Sequence, residues 1–231
     1  MPRTTLAELL ARNRRHVESL PEHHFSAVEE VQSPAMVSVC CSDSRVSQEG
    51  MWDVDEPGWL FSVANIGNQT WDAVGDERVV NGDVLYPLRY TETDTAAVVG
   101  HTGCGAITAT LDDVHGETDG ELPPGIRQRV SWLRSVIEDG LDDPRIEADG
   151  DGNLVDQLVE YNVDRQVAYL QSNEEVPDET TVFGFVYDFQ GVYGETRGRC
   201  YLVNHDGETD LERLREEVPD EYGTHVRRLL T

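Results

Sequence analysis

The feature that most limits the fold is a series of short apolar runs, at 35–41, 59–64, 95–100, 181–187 and 199–203. Each has strand length, is rich in β-branched or aromatic residues, and ends in polar or glycine-containing turns. Helix candidates fill the intervals at about 71–90, 104–112, 125–139, 153–172 and 209–217. Pro87 is expected to kink the first of these or to mark its last turn. Strands separated by helices indicate a parallel sheet. The last two runs flank a turn around Gly191 and Gly194, which predicts one antiparallel edge strand. The expected fold class is therefore α/β, a mainly parallel central β-sheet flanked by helices.

Ahead of the first run, 4–20 places Leu6, Leu9, Leu10 and Val17 at helical spacing, with Thr4 or Thr5 as N-cap. No internal repeat or linker divides the chain. A single domain over 1–231 is expected, with a helical arm at 1–34, a catalytic core at 35–190 and a C-terminal extension at 191–231.

Charge excludes several classes of partner. The formal net charge is -27, and all 18 basic residues are arginine. Such a chain repels nucleic acid and anionic membrane surfaces. Its acidic residues are spread among ordinary apolar segments, which argues for a folded protein adapted to molar salt rather than for disorder. At about 1 M salt the Debye length is near 3 Å, so self-repulsion is screened. The first 20 residues lack the apolar region of a secretory signal, and no run is long enough to span a membrane. A cytoplasmic location is expected.

Four cysteines, Cys40, Cys41, Cys104 and Cys200, are too few for a disulfide framework in a chain of 231 residues. Two of the predicted strands end in metal-binding residue types: C-S-D-S-R at 41–45 and H-T-G-C at 101–104. Either motif alone is weak. Together they place Cys41, His101 and Cys104 at the carboxyl ends of parallel strands, where α/β sheets bind ligands. Zinc favours thiolate and imidazole ligands, and three protein ligands leave the fourth position open, as catalysis requires. Cys40 is expected on the opposite strand face from Cys41, and Cys200 in the core. Asp43 and Arg45, directly after a ligand, are expected to orient the species at the metal.

C-S-D-S-R-V at 41–46, with G-H-T-G-C-G-A at 100–106, resembles the β-class carbonic anhydrases. N-I-G-N at 65–68, Tyr86, N-V-D-R-Q at 162–166 and F-G-F-V-Y-D at 183–188 extend the resemblance over about 35–190. It implies reversible hydration of carbon dioxide to bicarbonate and a proton, with one Zn2+ per chain. It also implies a homodimer or dimer-based oligomer whose N-terminal helices embrace the partner subunit. Asp43 would accept a hydrogen bond from the attacking hydroxide, and Arg45 would hold Asp43 off the metal. In some relatives the aspartate instead becomes the fourth ligand.

Two departures bear on regulation. Ala64 stands where the family usually has arginine, and Ser38 where members with an inhibitory bicarbonate pocket carry tryptophan. Loss of that pocket is expected, with Asp43 resting on Arg45, unless Arg89 enters the same space. Two thiolates cancel the metal's charge, so activity should rise above neutral pH. His16, His23, His24, His115, His205 and His225 read as solvated, and none is marked as a proton shuttle.

Other readings are weaker. The glycines at 100, 103 and 105 do not make a dinucleotide loop, since Thr108 replaces the required glycine, and no lysine serves a phosphate loop. The acidic stretch 149–153, with Glu160 beyond, has Leu154 where a calcium loop needs glycine. Carbonyl sulfide or carbon disulfide hydrolysis on the same zinc site, and a non-catalytic zinc scaffold, are the alternatives to carbon dioxide hydration.

Overall fold

The computed structural model describes residues 4–75, 77–118, 120–147 and 154–230. Five strands form the central sheet: β1 (Met36–Cys41), β2 (Leu60–Asn65), β5 (Thr95–His101), β6 (Thr181–Asp188) and β7 (Arg199–His205), in the order β2-β1-β5-β6-β7. All pairs are parallel except β6 with β7, the expected antiparallel edge. All six residues of β1 are buried. That is why its sequence is a continuous apolar run: a parallel strand covered on both faces has no solvent side to mark with polar residues.

One face of the sheet carries helices α3 (Gly82–Tyr90), α4 (Gly105–His115), α5 (Pro124–Leu141) and α6 (Leu154–Gln171). Val37, Val39, Val98, Val182 and Val186 meet Ile107, Leu133, Leu158 and Val163 there in the main core. On the opposite face, Met36, Cys40, Ala97 and Val99 are capped by Met51 and Trp52 around the short helix α2 (Gln48–Met51), and helix α7 (Leu211–Glu217) packs through Leu214 against Leu202. Gly100 sets the height of α6 above the sheet. A Cβ at that position would lie 2.8 Å from side-chain carbons of Val159 and Val163, a distance that only glycine avoids.

The helix expected over 71–90 begins later. Residues 71–80 form an antiparallel hairpin, β3 (Trp71–Val74) with β4 (Glu77–Val80), pairing Trp71 with Val80. Trp71, Val74, Val79 and Val80 favour strand, and Gly75 turns the chain at φ 63°. Asn81 then caps α3, its side chain accepting from the N–H groups of Asp83 and Val84. Pro87 sits in the last turn of that helix, which ends at Tyr90.

Helix α1 (Leu6–Ser19) is capped by Thr5, whose hydroxyl accepts from Glu8 N at 3.2 Å. The arm is helical only over that part of 4–34. Leu20 is extended ahead of Pro21, as a residue before proline prefers, and His23 follows at φ 65°. The acidic stretch 149–153 lies outside the described residues. Glu160 is buried inside α6. Among the described residues, no helix is long and apolar enough to cross a membrane.

Candidate metal centre

β1 and β5 are adjacent and parallel, so their carboxyl ends reach the same edge of the sheet. Cys41 ends β1, His101 ends β5, and Cys104, three residues on, is the N-cap position of α4. The two sulfurs stand 3.6 Å apart, and one ligand atom from each of the three residues falls within 4.8 Å of the others. All three are buried.

His101 is oriented by its own backbone. Nδ1 lies 3.0 Å from the Thr102 carbonyl oxygen, which can only accept, so Nδ1 carries the proton and Nε2 presents a lone pair. That Nε2 is buried with no hydrogen-bond partner among the described residues. A buried acceptor without a donor is costly, and here it sits beside two sulfurs. Their mutual contact, with burial, drives the Cys41 thiol well up and drives Cys104 well down. Two sulfurs and one imidazole lone pair in a buried cluster are the donor set of zinc. The residues fit a Zn2+ ion.

Groups around the ligands hold them in place. Gly67 donates its N–H to the Cys41 sulfur at 3.3 Å. Gly103 adopts φ 62°, which lets the chain turn between His101 and Cys104. Its N–H donates to Asp156 Oδ1 at 2.7 Å, and its carbonyl accepts from Arg45 Nη2 at 3.1 Å. Asp43 receives a two-pronged contact from Arg45: Nε to Oδ1 at 2.9 Å and Nη2 to Oδ2 at 2.7 Å, with the Arg45 N–H on Oδ1 at 2.8 Å. The bonds from Arg45 hold the Asp43 carboxyl at about 2. Oδ2 lies 3.7 Å from His101 Nε2. The Arg45 guanidinium rests on the ring of Phe189 at 4.6 Å.

The carbonic anhydrase family matches residues 36–193, most of the chain and every residue named in this centre. The chain belongs to the β-carbonic anhydrase family. Carbonic anhydrase 2 of Mycobacterium tuberculosis is 27% identical over 201 residues, covering 84% of this chain and 89% of that protein. The fold is that of the β-carbonic anhydrase of Coccomyxa, with a TM-score of 0.70 at 23% identity, over 93% of this chain and 92% of the other. The tetrameric β-carbonic anhydrases of Sordaria macrospora give 0.66 at 19% identity, over 86% and 94%.

Within this family member, the five site residues named from sequence converge on one strand-end cluster. Cys40 and Cys200 do not join it. Cys40 packs on the opposite sheet face, and burial pushes both thiols up to about 12, so they stay uncharged. Ser38 is buried with its hydroxyl unpartnered among the described residues, and Ala64 sits on the edge strand, exposed. Arg89 does not enter that space; its Nε donates to the Glu175 carbonyl at 2.7 Å. His16, His23 and His115 are exposed, His205 contacts Glu217, and His225 contacts the Cys200 carbonyl at 3.2 Å.

Sequence reasoning missed four supporting groups: Gly67, Asp156, Phe189 and Asp188. Asp188 accepts from the N–H groups of Gln190, Gly191 and Tyr193, and so fixes the loop that carries Phe189 under Arg45. A signal existed for Gly67 and Asp188, since both fall in stretches that resemble the family. Asp156 and Phe189 had none.

Proposed function

We propose that this chain is a zinc-dependent carbonic anhydrase that hydrates carbon dioxide to bicarbonate and a proton. The observation that carries the reading is the Nε2 of His101, without a hydrogen-bond partner among the described residues, beside the Cys41 and Cys104 sulfurs, with Asp43 pinned next to it by Arg45. Cys41, His101 and Cys104 would hold one Zn2+, which when bound would acidify water, a property for which carbonic anhydrases are the reference case, with activity rising above neutral pH because two thiolates cancel the metal's charge. Asp43 is ionised and can only accept hydrogen bonds. A reacting water that donates to it therefore turns a lone pair elsewhere, toward carbon dioxide. Arg45 takes up both carboxylate oxygens and keeps Asp43 from swinging onto the ligands. The Gly103 carbonyl and the Phe189 ring hold Arg45 in turn.

Stopped-flow carbon dioxide hydration by the zinc-loaded protein tests this, with carbonyl sulfide run beside it. Asp43→Asn should keep its zinc and lose about 10- to 100-fold in turnover, because asparagine can donate to the water and misdirect it. Cys41→Ser should lose both metal and activity. A zinc-replete wild type without carbon dioxide turnover, or an Asp43→Asn variant with native rates, refutes the assignment.

The same reading extends to the setting. A single domain with a homodimeric or dimer-based assembly is supported by the exposed apolar residues of α1, and the Sordaria relatives are tetrameric. A cytoplasm rich in salt is supported by the -27 charge. Diluting salt from about 1 M to 0.1 M lengthens the Debye length from about 3 to 10 Å, and subunits should separate before the core unfolds. Sedimentation that finds the oligomer and full activity unchanged at low salt rules out the halophilic reading.

A further inference from the structure

Strand β6 ends at Asp188, one residue past Tyr187, the register partner of His101. Asp188 therefore reaches the same sheet edge as the metal ligands, where it is fully buried. A carboxyl group in such a place is costly unless donors surround it. Oδ1 accepts from the Thr102 hydroxyl at 3.3 Å and from the N–H groups of Gln190 and Gly191 at 3.1 and 2.7 Å, and Oδ2 accepts from the Tyr193 N–H at 2.8 Å. The donors come from two segments, the loop between His101 and Cys104 and the loop that follows β6.

Each segment controls one half of the centre. Thr102 aims the imidazole, because its carbonyl accepts from His101 Nδ1 at 3.0 Å. Two bonds fix Thr102 itself: its N–H donates to the Tyr187 carbonyl at 3.1 Å and its hydroxyl to Asp188. The loop after β6 seats the arginine. Phe189 places its ring 4.6 Å from the Arg45 guanidinium and 5.9 Å from the His101 ring. Arg45 needs that seat. Its side chain is 47% exposed, and an exposed ion pair holds its geometry weakly by itself.

We propose that Asp188 is a positioning residue that ties the two halves of the centre together. Through Thr102 it aims the His101 imidazole, and through Phe189 it keeps Arg45 on Asp43. It acts on the reaction only through these neighbours. The kinetic consequence rests on the carbonic anhydrase reading, whereas the geometric claim stands without it.

Three variants of the full-length protein separate the arms. Thr102→Val, which removes only the hydroxyl, should weaken zinc about 10- to 100-fold in chelator competition and leave Arg45 as it was. Phe189→Leu should do the reverse. Hydrogen exchange of the Arg45 Nε–H resonance, identified by its loss in Arg45→Lys, should quicken about two- to fivefold, the worth of one exposed cation–π contact. Phe189→Tyr should restore slow exchange. Asp188→Asn places an amide against N–H donors and should show both effects at once, with kcat lowered and KM near native. Native zinc affinity in Thr102→Val, equal exchange in Phe189→Leu and Phe189→Tyr, or only one effect in Asp188→Asn overturns the proposal. Thr102→Val and Phe189→Leu leave Asp188 in place, so they decide the two arms even if Asp188→Asn folds poorly. A wild type without carbon dioxide turnover would refute the carbonic anhydrase reading alone, since zinc affinity and Arg45 exchange still report the geometry.

Discussion

Helices α1 and α6 read alike as helix candidates and behave as opposites. In α1, Leu6, Leu9, Leu10 and Val17 keep helical spacing, yet the helix has no buried residue; Leu6 is 73% and Leu10 62% exposed. Twelve of the 18 residues of α6 are buried, among them Asp156, Glu160, Asn162, Asp164 and Gln166. An apolar stripe thus records a surface to be covered and does not say by which chain. Buried polar residues record something else: fixed hydrogen-bond partners. Asp156 holds Gly103 of the metal loop, and Asn162 Nδ2 donates to the Gly67 carbonyl at 3.2 Å. Glu160 and Asp164 take Arg228, at 3.1 and 2.6 Å, and so lock the C-terminal segment. One helix is an unmet surface, the other the molecule's internal frame.

The largest expected effect lies in that frame. Arg228→Met leaves two carboxylates buried without their cation, and should cost about 3–5 kcal/mol in urea unfolding. Adding Glu160→Gln should recover part of the loss, since the pair matters mainly when half of it is missing. A change within about 0.5 kcal/mol for Arg228→Met would place α6 in the same class as α1. Next in size is Asp156→Ala, expected to cost about 1–3 kcal/mol and to weaken zinc about 10- to 100-fold in chelator competition. Asp156→Asn keeps an acceptor for Gly103 and should hold zinc close to the native level; equal losses in both variants would show that charge, not the hydrogen bond, matters. The smallest effect belongs to the arm. Leu6→Ser with Leu10→Ser should move subunit unfolding at high dilution by less than about 0.5 kcal/mol and yet dissociate the oligomer in sedimentation. A large loss of subunit stability would mean that α1 belongs to the subunit's own core.

The sheet and its ligands were legible because both rest on local signals. β1 and β5 are apolar runs of strand length, and each ends on a residue of a metal-binding type. The hairpin at 71–80 was misread as helix because its turn, at Gly75, interrupts a stretch whose apolar spacing also suits a helix. The Trp71 and Val79–Val80 β-formers were the better guide. Helix α2 has four residues and too little pattern to read. Asp156 and Glu160 were invisible for a physical reason: sequence patterning assigns charged residues to solvent, and only a specific partner far along the chain reverses that. Phe189 lies in a loop whose position depends on hydrogen bonds to Asp188.

The pairing of β1 with β5 has a kinetic corollary. The Cys41 and Cys104 sulfurs meet across 63 residues of sequence, and everything between them, including β2, the hairpin and α3, must be gathered before they do. Closing so long a loop is entropically slow to begin and is repaid only when the strands zip together. The metal centre is therefore a product of folding and cannot nucleate it. Zinc should leave the refolding rate nearly unchanged and slow unfolding instead, acting as a latch on a door that the sheet alone has to close.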